Sequence, residues 1–110
     1  MKQRIRSFGH AIRGIKMVFG SEINMKIHLV IAALVVFFGF FFCITLTEWL
    51  FCLICFGLVI GAEMFNTAIE HVVDLASPEF HHLAGKAKDI AAGAVLITAI
   101  FAALVGLIIF

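Results

Sequence analysis

The amino-acid sequence predicts an all-α membrane protein in which a surface helix precedes three transmembrane helices. The chain has 110 residues, 64% of them hydrophobic, and its mean hydropathy is +1.17. Soluble domains are roughly 45 to 50% apolar, and a folded chain this short leaves about a third of its surface in water. So many apolar side chains therefore require a bilayer, and the length allows one domain, residues 1–110.

Residues 1–20 predict an amphipathic helix that lies on the membrane surface. Apolar residues recur there at helical spacing, whereas most of the basic residues fall elsewhere on the helical wheel. A cleavable signal peptide is not expected, because the apolar run begins too late and no small-residue cleavage site follows it. The apolar residues of this helix are Ile5, Phe8, Ile12, Ile15 and Phe19.

Three longer apolar segments predict the membrane spans, which we expect at about 27–47, 48–76 and 88–110. Residues 27–47 carry no Asp, Glu, Lys or Arg, and about 20 helical residues cross a bilayer core of about 30 Å. The second span is apolar all round in its first half and on one side in its second half. Pro78 should end it, because proline cannot continue a helix. A turn near 46–49 should join the first two spans.

The basic residues predict the orientation in the membrane. Six of the eight Lys and Arg precede residue 27, and the other two, Lys86 and Lys88, follow the second span. Because Lys and Arg mark cytoplasmic segments, we expect the N-terminus and a 77–89 loop in the cytoplasm, with the first turn and Phe110 outside. The net charge of +1 is too small for a surface that binds nucleic acid.

The acidic residues are concentrated, because five of the seven lie after residue 62. On a helix that turns 100° per residue, Glu63, Glu70 and Asp74 lie within a stripe of about 40°. Asn66 lies about 60° to one side of Glu63. Acids near a helix end often form only a solvated face, and this alternative stays open for Asp74. It fits Glu63 less well, since an ionisable group at membrane depth costs about 2.5 to 3.5 kcal/mol and usually faces a partner or a cavity.

This acidic stripe suggests phosphate transfer from a soluble nucleotide to a lipid. Two carboxylates one or two turns apart near a water boundary can hold Mg²⁺ through oxygen ligands. A deeper carboxylate can take a proton from an alcohol whose tail lies in lipid, and Lys88 beside Asp89 can meet phosphate charge. No P-loop and no kinase glycine loop is present in the sequence, so a nucleotide site would be built without them.

Two other classes of protein also contain membrane-embedded acids. A small proton-coupled transporter would be expected to have a fourth span and an acid nearer the midplane, and a non-catalytic assembly subunit would leave the acidic stripe unexplained. Three spans offer little interior for several polar groups, which favours an oligomer. The motif Gly57-x-x-x-Gly61 allows another helix to approach closely, either from a second subunit or within the same one.

The polar residues also match a known family. Residues 63–74 follow the pattern E-x-x-N-x-x-x-E-x-x-x-D, and S-x-E-x-H and A-K-D follow within 77–89. This wording strongly resembles the small bacterial integral-membrane lipid kinases, diacylglycerol kinase and undecaprenol kinase. The resemblance implies a homotrimer in the bacterial plasma membrane, with ATP and Mg²⁺ entering from the cytoplasm. The phenylalanine-rich, tyrosine-free spans look closest to the Gram-positive branch, associated with undecaprenol kinase activity, with diacylglycerol kinase as the alternative.

The resemblance also implies roles for single residues. Glu63 corresponds to the general base on the lipid hydroxyl, with Asn66 beside it in the substrate site. The same resemblance gives no role to the histidines His28, His71 and His82, which we expect only to pack. The family usually has an aromatic residue at the position of His10. Carried over by position, the metal ligands are Glu22 and Glu70, and the nucleotide contacts are His10, Glu22, Glu70, Glu79, Phe80, His81, Lys88 and Asp89.

Overall fold

The fold is all-helical throughout the part of the chain that the computed structural model describes, residues 1–79 and 81–110. This confirms the predicted fold class. Three of the helices, Ile23–Phe41, Leu46–Ala76 and His82–Ile109, are long and apolar enough to cross a membrane. The four helices are α1 (Lys2–Ser21), α2 (Ile23–Phe41), α3 (Leu46–Ala76) and α4 (His82–Ile109).

Helix α1 leaves its apolar side uncovered by the rest of the chain. Ile5 and Phe8 are each about two-thirds exposed, and Val18 is the residue that this helix buries. The helix contacts both α2 and α3. At Glu22 the backbone becomes extended, which separates α1 from α2. An exposed apolar side on a helix with a basic opposite side suits a membrane surface.

The turn between α2 and α3 lies at residues 42–45, earlier than the expected turn at 46–49. Helix α2 ends in a Schellman motif, in which Ile44 N–H donates to the Gly39 carbonyl and Cys43, with φ 53°, adopts the left-handed conformation. Helix α3 begins with a capping box. Glu48 N–H donates to Thr45 Oγ1 at 3.2 Å, and Thr45 N–H donates to Glu48 Oε1 at 2.9 Å. Residues 46–49 therefore form the first turn of α3.

Trp49 closes this hairpin by packing on α2. A Cβ added to Gly39 would lie 2.5 Å from Trp49 Cη2, so only glycine fits under the indole without rearrangement. The Phe40 ring also packs against Trp49, with the two ring centroids 5.0 Å apart. The hairpin thus depends on Gly39 lying beneath the indole ring of Trp49.

Helix α4 begins at His82, six residues before the expected start of the third span. The His81 side chain caps it, because Leu83 N–H donates to His81 Nδ1 at 3.1 Å. Lys88 and Asp89 therefore lie in the second turn of a helix, and the expected 77–89 loop is only a short connection. Histidine is an uncommon N-cap residue, which is why the sequence did not indicate this start. Helix α3 ends at Ala76, next to Pro78, as predicted.

Helices α3 and α4 run antiparallel and share the most extensive contact in the chain. Within the described residues, no atom lies within 4 Å of a Cβ built on Gly57 or Gly61. The Gly57-x-x-x-Gly61 surface is thus not used for close packing inside the subunit.

Replacing Gly39 by Ala should destabilise the hairpin, because the added methyl group overlaps the indole ring. We expect a loss of about 1 to 3 kcal/mol in the free energy of unfolding, together with a shift in the emission of Trp49, the single tryptophan of the chain. Thermal unfolding in detergent and intrinsic fluorescence measure the two effects. Gly93→Ala is the control, since its Cβ meets no atom within 4 Å. Equal stability of the two variants would contradict the prediction.

Candidate functional site

Helix α3 carries a short stretch of buried polar residues. Glu63, Asn66 and Thr67 are 2%, 6% and 3% exposed, whereas the other buried residues in the described chain are hydrophobic, apart from Gly39. From its depth in the membrane Glu63 is expected to face a partner or a cavity, and the structure encloses it. An enclosed carboxylate in a membrane helix indicates a functional position.

Two hydrogen-bond acceptors in this stretch have no donor among the described residues. Thr67 Oγ1 donates to the Glu63 carbonyl at 3.0 Å, and Asn66 Nδ2 donates to Glu70 Oε1 at 3.3 Å. Among residues 1–79 and 81–110, Glu63 Oε2 and Asn66 Oδ1 are buried without a hydrogen-bond partner. Buried polar atoms are nearly always bonded, so two such acceptors one turn apart indicate a place for a ligand that donates hydrogen bonds.

His28 of α2 approaches the same carboxylate from a second helix. Its Nε2 lies 3.6 Å from Glu63 Oε2, and its side chain is 18% exposed. From the sequence this histidine is expected only to pack. A signal was present in the sequence, because His28 is itself an ionisable residue in an apolar span, where such residues are usually functional.

A cavity of about 240 Å³ lies between α2, α3 and α4 and reaches His28. Along α2 its lining extends from His28 to Val35, a distance of about 10 Å at 1.5 Å per residue. Its other walls are apolar, with Cys52 and Ile60 contributed by α3 and Ala99 by α4. His28 therefore connects an apolar space with the buried carboxylate.

The acidic stripe becomes exposed further along α3. Asp74 is 65% exposed, and its Oδ1 lies 2.5 Å from Lys88 Nζ of α4, whose side chain is 40% exposed. The solvated-face alternative thus describes Asp74, which nevertheless holds a predicted nucleotide contact in place. The structure brings Glu63, Asn66 and Glu70 together on one helix face and pairs Lys88 with Asp74.

The other predicted site residues are not joined to this group by a recorded contact. His10 lies on exposed α1, where Arg13 Nη2 is 3.1 Å from its Nδ1. Glu22 is half-buried at the junction of α1 and α2, and Asp89 is exposed on α4.

The connection between α3 and α4 carries three more of the predicted nucleotide contacts. Glu79 is exposed, and its carbonyl accepts a hydrogen bond from Ser77 Oγ. His81 caps α4. Phe80 lies outside the described residues.

Residues 1–79 and 81–110 form no metal site from protein ligands alone. In the described ranges 1–79 and 81–110, no group of three or more His, Cys, Asp and Glu side chains is arranged to hold a metal ion. The predicted ligands Glu22 and Glu70 have no third protein ligand there.

Comparison with known proteins identifies the family. The sequence model of prokaryotic diacylglycerol kinase matches residues 9–110. The chain belongs to this family. It is 41% identical over 105 residues to an undecaprenol kinase of Bacillus subtilis, which covers 96% of this chain and 85% of the relative. It is 37% identical over 101 residues to a diacylglycerol kinase of Synechocystis, covering 91% of this chain and 58% of the relative. A stretch of 45 residues is 51% identical to the Escherichia coli diacylglycerol kinase, 41% of this chain and 37% of the relative.

The expected resemblance is thereby confirmed, and the protein is a membrane lipid kinase. Membership of this family excludes the two alternative classes, a small proton-coupled transporter and a non-catalytic assembly subunit. A lipid kinase must bring an alcohol with an apolar tail to a charged nucleotide. In this chain α3 carries a buried carboxylate near an apolar cavity and exposed charges further along, which suits both substrates.

Replacing Glu63 by Gln should stabilise this lipid kinase, because the burial of a carboxylate opposes folding and a neutral amide is less costly to bury. We expect a gain of about 1 kcal/mol or more in the free energy of unfolding, measured by thermal unfolding in detergent. Glu48→Gln is the matched control, and it should have little effect because Gln also completes a capping box. A clear loss of stability in Glu63→Gln would contradict the prediction.

Proposed function

We propose that this chain phosphorylates undecaprenol, with ATP as the phosphate donor and Mg²⁺ as the metal. The observation that carries the proposal is the buried Glu63 carboxylate with an unpartnered oxygen, next to a histidine that lines an apolar cavity. The relative from Bacillus subtilis, which covers nearly the whole chain, is named undecaprenol kinase. Its name supports the choice of lipid.

In the proposed reaction Glu63 acts as the general base. The lipid hydroxyl oxygen attacks the γ-phosphorus of ATP and forms the new oxygen–phosphorus bond, while the bond to the bridging oxygen of the β-phosphate breaks and ADP leaves. The hydroxyl proton passes to the Glu63 carboxylate. Asn66 is assigned to the substrate site beside Glu63, where its amide also orients Glu70.

Glu22 and Glu70 are the proposed Mg²⁺ ligands. Carboxylate oxygens suit this hard cation, which usually keeps several waters and takes further oxygens from phosphates. Two protein ligands are therefore enough. The hydrogen bond from Asn66 engages Oε1 of Glu70 and leaves the other oxygen for a metal. Bound Mg²⁺ would offset the negative charge of the transferring phosphate.

The proposed nucleotide contacts lie on exposed parts of the chain. Lys88 is oriented by Asp74, and an ammonium group has three donors, so it can also serve a phosphate oxygen. His81 accepts the Leu83 N–H through Nδ1, which leaves Nε2 of its neutral ring as a donor. The remaining proposed contacts are His10, Glu22, Glu70, Glu79, Phe80 and Asp89.

We also propose a homotrimer in the bacterial plasma membrane, with the N-terminus and the 77–89 segment in the cytoplasm. The distribution of basic residues supports this orientation. The open surface at Gly57 and Gly61 supports close approach of a helix from another subunit.

Diacylglycerol kinase activity is the second candidate. Several relatives carry that name, and diacylglycerol also presents a hydroxyl group at the end of apolar tails. The same carboxylate and cavity could serve both lipids.

Purified protein given labelled ATP, Mg²⁺ and an equimolar mixture of undecaprenol and diacylglycerol should transfer label mainly to undecaprenol. Separation of the lipid products measures the two rates in one reaction. Label found mainly in phosphatidic acid would establish the second candidate instead. Label in neither lipid would overturn the proposed function.

Two variants test the proposed roles separately: Glu63→Gln removes the proposed base, and Glu70→Gln removes a proposed metal ligand. The first variant should lose turnover by about 10² or more, because general-base catalysis is removed, while Mg²⁺–ATP binding is retained. The second should need more Mg²⁺ for half-maximal rate. Kinase assays and nucleotide titrations measure both, with Glu48→Gln as the matched control. Appreciable turnover in Glu63→Gln, or an unchanged Mg²⁺ requirement in Glu70→Gln, would contradict the assigned roles.

A further inference from the structure

We infer that His28 is a positioning residue for Glu63. It donates a hydrogen bond from Nε2 to Glu63 Oε2 and so fixes the carboxylate for the lipid hydroxyl. The inference rests on the proposed function, in which Glu63 is the base, and adds a residue to which the family resemblance gave no role.

The buried Glu63 carboxylate needs a hydrogen-bond donor next to Oε2. Glu63 is 2% exposed, so bulk water does not reach its carboxylate, and Oε2 has no hydrogen-bond partner among the described residues. A buried carboxylate without a donor is strongly unfavourable. A side chain next to Oε2 that can donate is therefore expected.

His28 is the side chain that can supply this hydrogen-bond donor. Among the described residues, the other side-chain donors near this stretch of α3 bond to atoms other than Oε2. Asn66 Nδ2 donates to Glu70, and Thr67 Oγ1 donates to a backbone carbonyl. Lys88 is held by Asp74. His28 Nε2, at 3.6 Å, is the side-chain nitrogen recorded as approaching Oε2.

The distance between His28 Nε2 and Glu63 Oε2 is compatible with a hydrogen bond in the reacting complex. At 3.6 Å the pair is slightly longer than a hydrogen bond. Catalytic hydrogen bonds are often long before substrate is bound and shorten in the reacting complex. A small rotation of either side chain brings the two atoms into range.

The contact between His28 and Glu63 would hold the carboxylate in one position. Glu63 has a long, flexible side chain on α3, whereas His28 belongs to α2, so the contact fixes the carboxylate relative to a second helix. His28 also lines the apolar cavity. A lipid tail in that cavity would place its hydroxyl beside the carboxylate that His28 orients. Positioning of this kind affects the chemical step more than nucleotide binding.

The variants His28→Gln and His28→Met test the inference, because the two new side chains have similar length and flexibility but only Gln can donate. We expect His28→Met to lower kcat on the order of tenfold or more, with the KM for Mg²⁺–ATP changed by less than about twofold. His28→Gln should keep most of the wild-type kcat. The exposed His71 provides the matched control pair, His71→Gln and His71→Met, both with wild-type kcat.

Two outcomes of the assay would overturn the inference. One is a wild-type kcat in His28→Met, and the other is a His28→Gln variant as slow as His28→Met, since the loss would then not follow the donor. A wild-type protein that phosphorylates no lipid would instead refute the proposed function.

A measurement without turnover tests the contact separately. The unfolding temperatures of His28→Met, Glu63→Met and the double variant form a cycle, because neither methionine can make the hydrogen bond, and paired residues should give shifts that do not add. Additive shifts would overturn the contact even if the kinase assay fails.

Discussion

The arrangement of this lipid kinase depends on the burial of one carboxylate, Glu63, on α3. Burial of the charge opposes folding, and the side chain that approaches the carboxylate comes from another helix. His28 approaches from α2, while Thr67 and Asn66 use their hydrogen bonds elsewhere. The packing of α2 on α3 is thus tied to the chemistry of the site.

That packing is set at the far end of the α2–α3 hairpin. The Schellman motif after α2, the capping box at Thr45 and Glu48, and the contact of Trp49 with Gly39 determine where one helix ends and the next begins. A shift of one residue in this turn would rotate α3 by about 100°. Glu63 would then face away from His28, so the hairpin and the site depend on the same register.

Much of the fold could be predicted from the sequence, because three long apolar segments and Pro78 define the helices with little ambiguity. The turn before α3 was misplaced, since the apolar run continues through it and hydropathy cannot locate a turn inside such a run. The local signal was Thr45 with Glu48 three residues later, a capping box that determines a start through hydrogen bonds. The spacing of Glu63, Asn66 and Glu70 was readable because it lies within one helix. The contact with His28 was not, because it depends on how two helices pack.

The length and continuity of α3 have a consequence for the two substrates. The helix has 31 residues, or about 46 Å, against a bilayer core of about 30 Å. Between residues 62 and 76 it contains no glycine or proline, so it is a rigid rod that extends from the lipid phase into the aqueous phase. The eleven residues from Glu63 to Asp74 therefore set a separation of about 16 Å between the buried carboxylate and the exposed charge. If the proposed reaction holds, lipids with tails of different length would occupy different lengths of the cavity, yet their hydroxyl groups would meet the nucleotide at one constant depth.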